Sequence, residues 1–502
     1  MKAVKQPIVL SPSSLQYPRT FASALAAASV MLLAFADATV LAQVYIEDAK
    51  VTAFDADPGD NFGYSIALSG QTMVVAAPGH DCATGVNCGA AYIYNFVSGS
   101  WVQQAKLTAS DAENSDQFTN LTGFSNNSVS IDGDTIVVGA HGDECTAGFR
   151  CGSAYVFVKS AGGWTDMTES AKLTASNADA FNEFGRSVSI SNDVIVVGAP
   201  LAGPSLRGAA YVFEKPVSGW ANMTETAKLT ASDAMNFDEL GYSVASTTDT
   251  IVVGAFSQAC TGGAICRPAV YVFAKPVTGW SDITQTAKLT AGVSFQGPGS
   301  SVSTSLGGDI IVAGAMHDNC TAGFRCGSAY VFVKPEAGWS DTAATAKLTP
   351  SDAAVGHFFG RSVAIAGDAI VVGADRDGCG AGVNCGSAYF FARPGGGWSD
   401  MTQTAKLTHS DGTESDFFGT SVSVDAQTIV VGSPRDDCPS GNDCGSAYVF
   451  NVPSSSIPAV SSWGVLVLGL SILTVGTRVL GHRRPTQGFA STGVDPSRRV
   501  NR

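Results

Sequence analysis

The chain is poor in charge: Asp, Glu, Lys and Arg make up 14% of its 502 residues. Its six histidines are scattered and do not recur in phase, so they form no repeated metal or proton-transfer pattern. The signatures G-x-S-x-G and H-E-x-x-H and the phosphate-binding glycine loop are all absent. That removes sequence support for the common serine hydrolases, zinc proteases and nucleotide-binding enzymes. Basic surplus is missing too. The formal charge is −14, residues 1–42 contribute +2 and residues 454–502 contribute +5, so residues 43–453 carry −21. Such a surface repels nucleic acid and anionic lipid. The 56 glycines, set among β-branched and small polar residues, suit strands joined by many turns and suit helices poorly.

The two ends differ from the middle. Residues 1–42 carry Lys2, Lys5 and Arg19, an apolar run from Phe21 to Ala36, and small residues at Val40 and Ala42. This reads as a signal peptide with the mature chain starting near Gln43. Residues 457–484 hold a mostly apolar run followed by His482, Arg483 and Arg484. The 24 residues Ile457–Leu480, at 1.5 Å per residue, reach roughly 36 Å, enough for a transmembrane helix. The basic cluster then puts residues 485–502 in the cytoplasm, with 454–456 as a short linker.

Between the ends lies a repeat. Lys-Leu-Thr, or Lys50-Val51-Thr52 in its first occurrence, opens seven units at Lys50, Lys106, Lys172, Lys228, Lys288, Lys347 and Lys406. Each unit runs approximately through a short acidic loop, F-G-x-S-V, D-x-I-V-V-G-A, a C-x5-C loop, G-S-A-Y-V-F and Gly-Trp, with Leu240-Gly241 in unit four and Pro298-Gly299 in unit five in place of Phe-Gly. The fifteen residues from Cys145 to Lys159 recur unchanged from Cys320 to Lys334, as the same part of units two and five. Self-similarity at this length indicates a solenoid or a propeller. Unit three offers four strands, at 187–190, 194–199, 210–213 and 226–231, separated by tight-turn residues. The last unit stops after three strands, and Tyr45–Ala53 supplies an orphan fourth. The reading is therefore all-β: a seven-bladed β-propeller of four-stranded antiparallel blades over 43–453, closed by its N-terminal strand, plus one C-terminal transmembrane helix.

Phe62-Gly63, Phe184-Gly185, Phe359-Gly360 and Phe418-Gly419, each followed by a Val-Val-Gly-Ala-like strand, resemble FG-GAP repeats. Gly198-Ala199-Pro200 completes the motif. That resemblance implies a propeller like that of integrin alpha subunits, and a surface protein that binds rather than catalyses. Ile457-Pro458-Ala459-Val460, with the apolar run and basic end behind it, resembles sorting signals of the IPTL-CTERM type and implies export and envelope sorting machinery.

The twelve cysteines fall into six pairs: Cys82 with Cys88, Cys145 with Cys151, Cys260 with Cys266, Cys320 with Cys326, Cys379 with Cys385 and Cys438 with Cys444. One pair per loop with none spare reads as six local disulfides made in an oxidising compartment. Zinc is the alternative, but each loop offers two thiolates, with only His80, His141 and His317 near three of them. Unit three lacks the pair and has a shorter loop. Integrin-like blades carry calcium in the hairpin between the first two strands, which is too short here. Acidic residues cluster instead before Phe-Gly: Asp55, Asp57 and Asp60 in one loop, Asp411 and Asp416 in another. Two readings stand for them, Asx-turns and weak calcium binding. Trp101, Trp164, Trp220, Trp280, Trp339 and Trp398 close six units, either covering blade junctions or stacking on carbohydrate. No catalytic residue and no firm cofactor emerges. The expectation is an exported cell-surface binding or adhesion protein that meets an extracellular protein or glycan on its long-loop face. A structural envelope or matrix protein is the alternative, and a glycan-active enzyme the third reading.

Overall fold

The structure, a computed structural model, describes residues 43–452 apart from 114–115, 117, 119–127, 257–268 and 292–298. Residues 1–42, expected to be a signal peptide, the expected linker 454–456, the segment 457–484 expected to carry a sorting signal and a transmembrane helix, and residues 485–502 lie outside the described residues. So do Cys260 and Cys266, the pair expected in unit four. Among the described residues no helix is long and apolar enough to cross a membrane. The helical element found there is a single turn, Pro204–Leu206.

Seven antiparallel sheets follow one another along the chain, and blade 3 shows the rule for all. Its inner strand Ser187–Ser191 alternates small polar with β-branched residues, as a strand beside a channel should. Val194–Ala199 is buried throughout and pairs Val194 with Ser191 across a two-residue turn. Asn192 takes the left-handed conformation (φ 52°) that this turn demands and Asn tolerates. Ala209–Glu214 is the third strand and Ala227–Thr230 the outer one.

Outside the four strands, most blades carry a fifth. Met223–Thr224 leaves blade 3 and pairs in parallel with the outer strand Ala171–Thr174 of blade 2. The same strap joins Ile283–Thr284 to blade 3, Thr342–Ala343 to blade 4 and Met401–Thr402 to blade 5. Side chains fasten each strap. Before it, Asp282, Asp341 and Asp400 accept the backbone N–H of Lys228, Lys288 and Lys347, all at 2.8 Å. Behind it, Glu225 accepts both the N–H and the hydroxyl of Ser176, at 2.8 and 2.6 Å.

The N-terminus closes the ring in two places. Ala49–Val51 completes blade 7 as its outer strand, antiparallel to Ser446–Asn451. Gln43–Ile46 acts as the strap on blade 6, parallel to Ala405–Thr408. One strand was expected over Tyr45–Ala53. The segment divides because an outer strand in this ring is regularly preceded by a strap on the blade before it. Blade 1 departs from the rule, with Ala90–Val97 and Ser100–Leu107 running as one long hairpin. Blade 7 is braced there by side chains instead, Tyr94 Oη donating to Thr52 O at 2.7 Å.

The apolar core consists of seven large clusters, one at each junction between neighbouring blades. Trp164, Trp220, Trp280, Trp339 and Trp398 are buried in five of them, so these rings cover junctions and are unavailable for carbohydrate stacking. Trp101 is half-buried against Phe96 in the blade 1 hairpin. Inner strands from all seven blades surround an axial cavity of about 250 Å³ lined by Ser, Ala and Val.

Candidate binding face at the channel mouth

The loops between strands two and three and the acidic loops before Phe-Gly leave the propeller on one face. The sequence motifs there have direct steric causes. Gly185 sits at φ 88°, and a Cβ on it would strike Ser153 O of blade 2. Gly373 in Val-Val-Gly-Ala meets the carbonyl of Gly419 in blade 7, so a side chain there would collide with backbone. Equivalent glycines recur in the other blades. Blade 1 has Ala76 at that place, and it is the blade followed by the insertion near 119–126. A serine two residues after such a glycine donates to the carbonyl of the next blade's equivalent glycine, as from Ser187 to Gly241 (2.9 Å), Ser362 to Gly419 (3.0 Å) and Ser421 to Gly63 (2.7 Å). The ring is thus laced at its inner edge.

Five of the six expected disulfides are seen, at Cys82–Cys88, Cys145–Cys151, Cys320–Cys326, Cys379–Cys385 and Cys438–Cys444, each across six residues. The sixth, between Cys260 and Cys266, falls in the segment 257–268 outside the described residues, so the structure adds no bond there to the sequence expectation. Each stapled loop presents its last residues to the acidic loop of the following blade. Phe181 N donates to Phe149 O, Glu183 N to Arg150 O and Phe184 N to Cys151 O, at 2.9–3.1 Å. Blade 3, which lacks cysteines, makes the same zipper with Pro204–Leu206, through Phe237 N to Ser205 O and Leu240 N to Arg207 O. The loops are therefore rigid at their inner edges, while Val86, Phe149, Phe181, Phe324, Val355 and Val383 stand more than half exposed on their outer side.

The acidic candidates are engaged by the protein itself. Asp411 accepts from Lys50 Nζ (2.6 Å) and Tyr448 Oη (2.9 Å), and Asp55 from Lys106 Nζ (2.8 Å). Burial works to raise the Asp411 and Asp55 carboxyls, but the lysine and tyrosine hydrogen bonds outweigh it and hold both below the usual range. Asp60 accepts the backbone N–H of Asp57 at 3.0 Å and faces His80 at 3.2 Å. Asp416 accepts both the N–H and the hydroxyl of Thr413. Asp60 and Asp416 thus close their loops by capping the N–H three residues earlier, not two residues later as an Asx-turn would. The Lys of Lys-Leu-Thr joins the loops, its ammonium 5.1–5.7 Å over a tyrosine ring in all seven units. A calcium ion at Asp55 or Asp411 would have to displace that lysine. Among the described residues no group of three His, Cys, Asp or Glu stands ready to hold a metal.

Nearer the axis the chemistry changes. Arg186 and Arg361, each following a Phe-Gly glycine, are 7% and 5% exposed. Glu183 binds Arg186 at 2.6 Å and Arg150 at 2.8 Å. Arg186 lies 5.1 Å over Tyr242. From Tyr242 an arc of rings continues through Phe256 (4.7 Å), His317 (5.4 Å) and Phe358 (5.6 Å), crossing blades 4 to 6. Glu239 is buried beside it, and burial pushes its carboxyl up to about 8 despite the pull of Arg186.

The family model of the FG-GAP repeat matches residues 45–94, 101–157, 167–213, 223–273, 342–391 and 401–450, well over half of the chain. The chain belongs to the FG-GAP repeat family. None of the curated proteins compared with it matches. The six FG-GAP matches leave out the inner three strands of blade 5, Ser301–Thr304, Ile310–Ala315 and Ser328–Val333, where Pro298-Gly299 replaces Phe-Gly. Those strands nevertheless pair in the register of the other FG-GAP blades. Sequence reasoning found the disulfide and acidic loops of this face. It missed the straps and the arginine-aromatic centre. The recurrent [DN]-x-T-[EQ] after Gly-Trp, at 166–169, 222–225, 282–285 and 400–403, was the available signal for the straps. The centre had none in phase, since its residues differ from unit to unit.

Proposed function

We propose that this FG-GAP propeller is an exported, non-catalytic binding protein of the cell surface, which engages an extracellular protein or glycan through its long-loop face. The carrying observation is the set of large apolar side chains exposed on loops that disulfides and backbone zippers hold rigid. Large apolar side chains left exposed on one face mark candidate interaction sites, and fixed loops lose little entropy on binding. Five disulfides support an oxidising, extracellular location. Residues 1–42 would direct export, and residues 457–484 would hold the propeller at the envelope. Immobilised glycans, matrix proteins and whole cells should retain the full-length chain. The double variant Phe149→Ser/Phe324→Ser should lose at least tenfold in affinity, whereas Val217→Ser and Val277→Ser, exposed on the opposite face, should not. Equal binding by all variants would move the site elsewhere. Absence of binding to every surface would favour a structural envelope role.

A further inference from the structure

Arginine is distributed unevenly over this acidic propeller. Of the eight arginines among the described residues, seven lie on the long-loop face, and Arg393 alone stands opposite, paired with Asp368. Two of the seven share a ring: Arg376 lies 4.5 Å and Arg325 5.9 Å from the centre of Phe358. Among the described residues neither forms an ion pair with a carboxylate. That is unusual in a segment carrying −21, where an exposed guanidinium has many acids to choose from. Beside them Arg361 Nε faces Asp375 Oδ2 at 3.4 Å, at the long limit of an ion pair. Asp375 is 5% exposed, and its Oδ1 is buried without a hydrogen-bond partner.

These groups converge. Arg325, Arg361 and Arg376 all act on the half-buried His317 imidazole, and together with burial they push it down to about 4. Near neutral pH it is therefore uncharged and able to donate one N–H. Burial raises the Asp375 carboxyl even against the pull of Arg361 and Arg376. Phe358, itself buried, holds both guanidinium groups within cation–π range of one ring.

We propose that the channel mouth in front of Phe358 is an oxyanion site, in which Arg325, Arg361 and Arg376, with His317 beside them, bind a carboxylate, sulfate or phosphate group. Planar N–H pairs match the oxygens of such groups bidentately, and partial burial strengthens each hydrogen bond. The lysines of Lys-Leu-Thr pair with acids farther out, Lys50 with Asp411 and Lys106 with Asp55, while the arginines gather at the centre. The inference rests on reading this face as the binding face and assigns the charge of what enters its centre.

The test uses the full-length chain, with thermal melting and calorimetric titration in phosphate, sulfate, acetate and citrate against chloride at equal ionic strength. At least one oxyanion should raise the melting temperature saturably. Arg325→Gln and Arg376→Gln should each weaken it about tenfold, while Arg393→Gln should respond as wild type. Ranking the four anions separates carboxylate from sulfate and phosphate. Arg361→Gln should abolish the effect; should that buried substitution prevent folding, the two more accessible variants decide. The proposal is overturned if no oxyanion exceeds chloride, or if Arg325→Gln and Arg376→Gln shift as wild type does, the mark of general salt stabilisation. Either result leaves the Phe149/Phe324 binding experiment unaffected, so the two readings fail separately.

Discussion

At the scale of single residues, the repeat motif is a record of close approaches. Gly373 has a neighbouring carbonyl where its Cβ would be, and that carbonyl belongs to the next blade's backbone, which cannot rotate away. Gly373→Ala should therefore destabilise the propeller by about 2–4 kcal/mol, comparable to severe core changes. Ser362→Ala, which only removes the bond to Gly419 O, should cost about 1–2 kcal/mol. Parallel denaturant titrations of both variants check the order. Glu239 gives a pH signature. Its carboxyl, raised to about 8 by burial, with Arg186 pulling down and Glu183 pushing up, stays protonated in the fold while the unfolded chain ionises near pH 4.5. Stability is thus lost as pH rises from about 4.5 to 8. Glu239→Gln should melt like wild type at pH 4 and several degrees higher at pH 8.5.

At the scale of elements, what the sequence made legible was whatever repeats in phase. Strand order, the stapled loops and the closing role of the N-terminus were all readable, because seven copies of a pattern average out local ambiguity. The strap was not. Two residues of parallel pairing leave no periodicity, and Ser-Asp-Met-Thr reads as a turn until its partner on the neighbouring blade is known. The central arginines were unreadable for the opposite reason: Arg186, Tyr242 and Arg361 occupy one repeat position with different side chains, so only the fold brings them together. The straps also bear a prediction. Asp400→Ala with Gln403→Ala removes both clips on blade 5's outer strand. Amide exchange should accelerate over Ala346–Thr349 and leave inner strands protected. The disulfides act on a different element. Chain entropy for such short loops gives roughly 2 kcal/mol each. Reduction should loosen the long-loop face before the strands, seen as proteolysis between the paired cysteines of intact blades.

At the scale of the whole molecule, closure depends on residues 43–51. They complete blade 7 and strap blade 6, and Glu47 accepts from Ser410 as its counterparts do elsewhere. Deleting Gln43–Val51 should lower the melting temperature and enlarge the hydrodynamic radius, measured by scattering. A deletion variant as compact and stable as the parent would refute circular closure.

That closure sets a timetable for biogenesis. Asp48 and Asn451, which touch through a hydrogen bond, are separated by 403 positions in the chain. At roughly 5–20 residues per second, the segment made first waits about 20–80 s for the ribosome to deliver its partner. Throughout that interval the nascent array has two raw edges able to pair with other chains. A polypeptide truncated anywhere before Ser446 would keep them permanently, and should be recovered as aggregates or swapped oligomers.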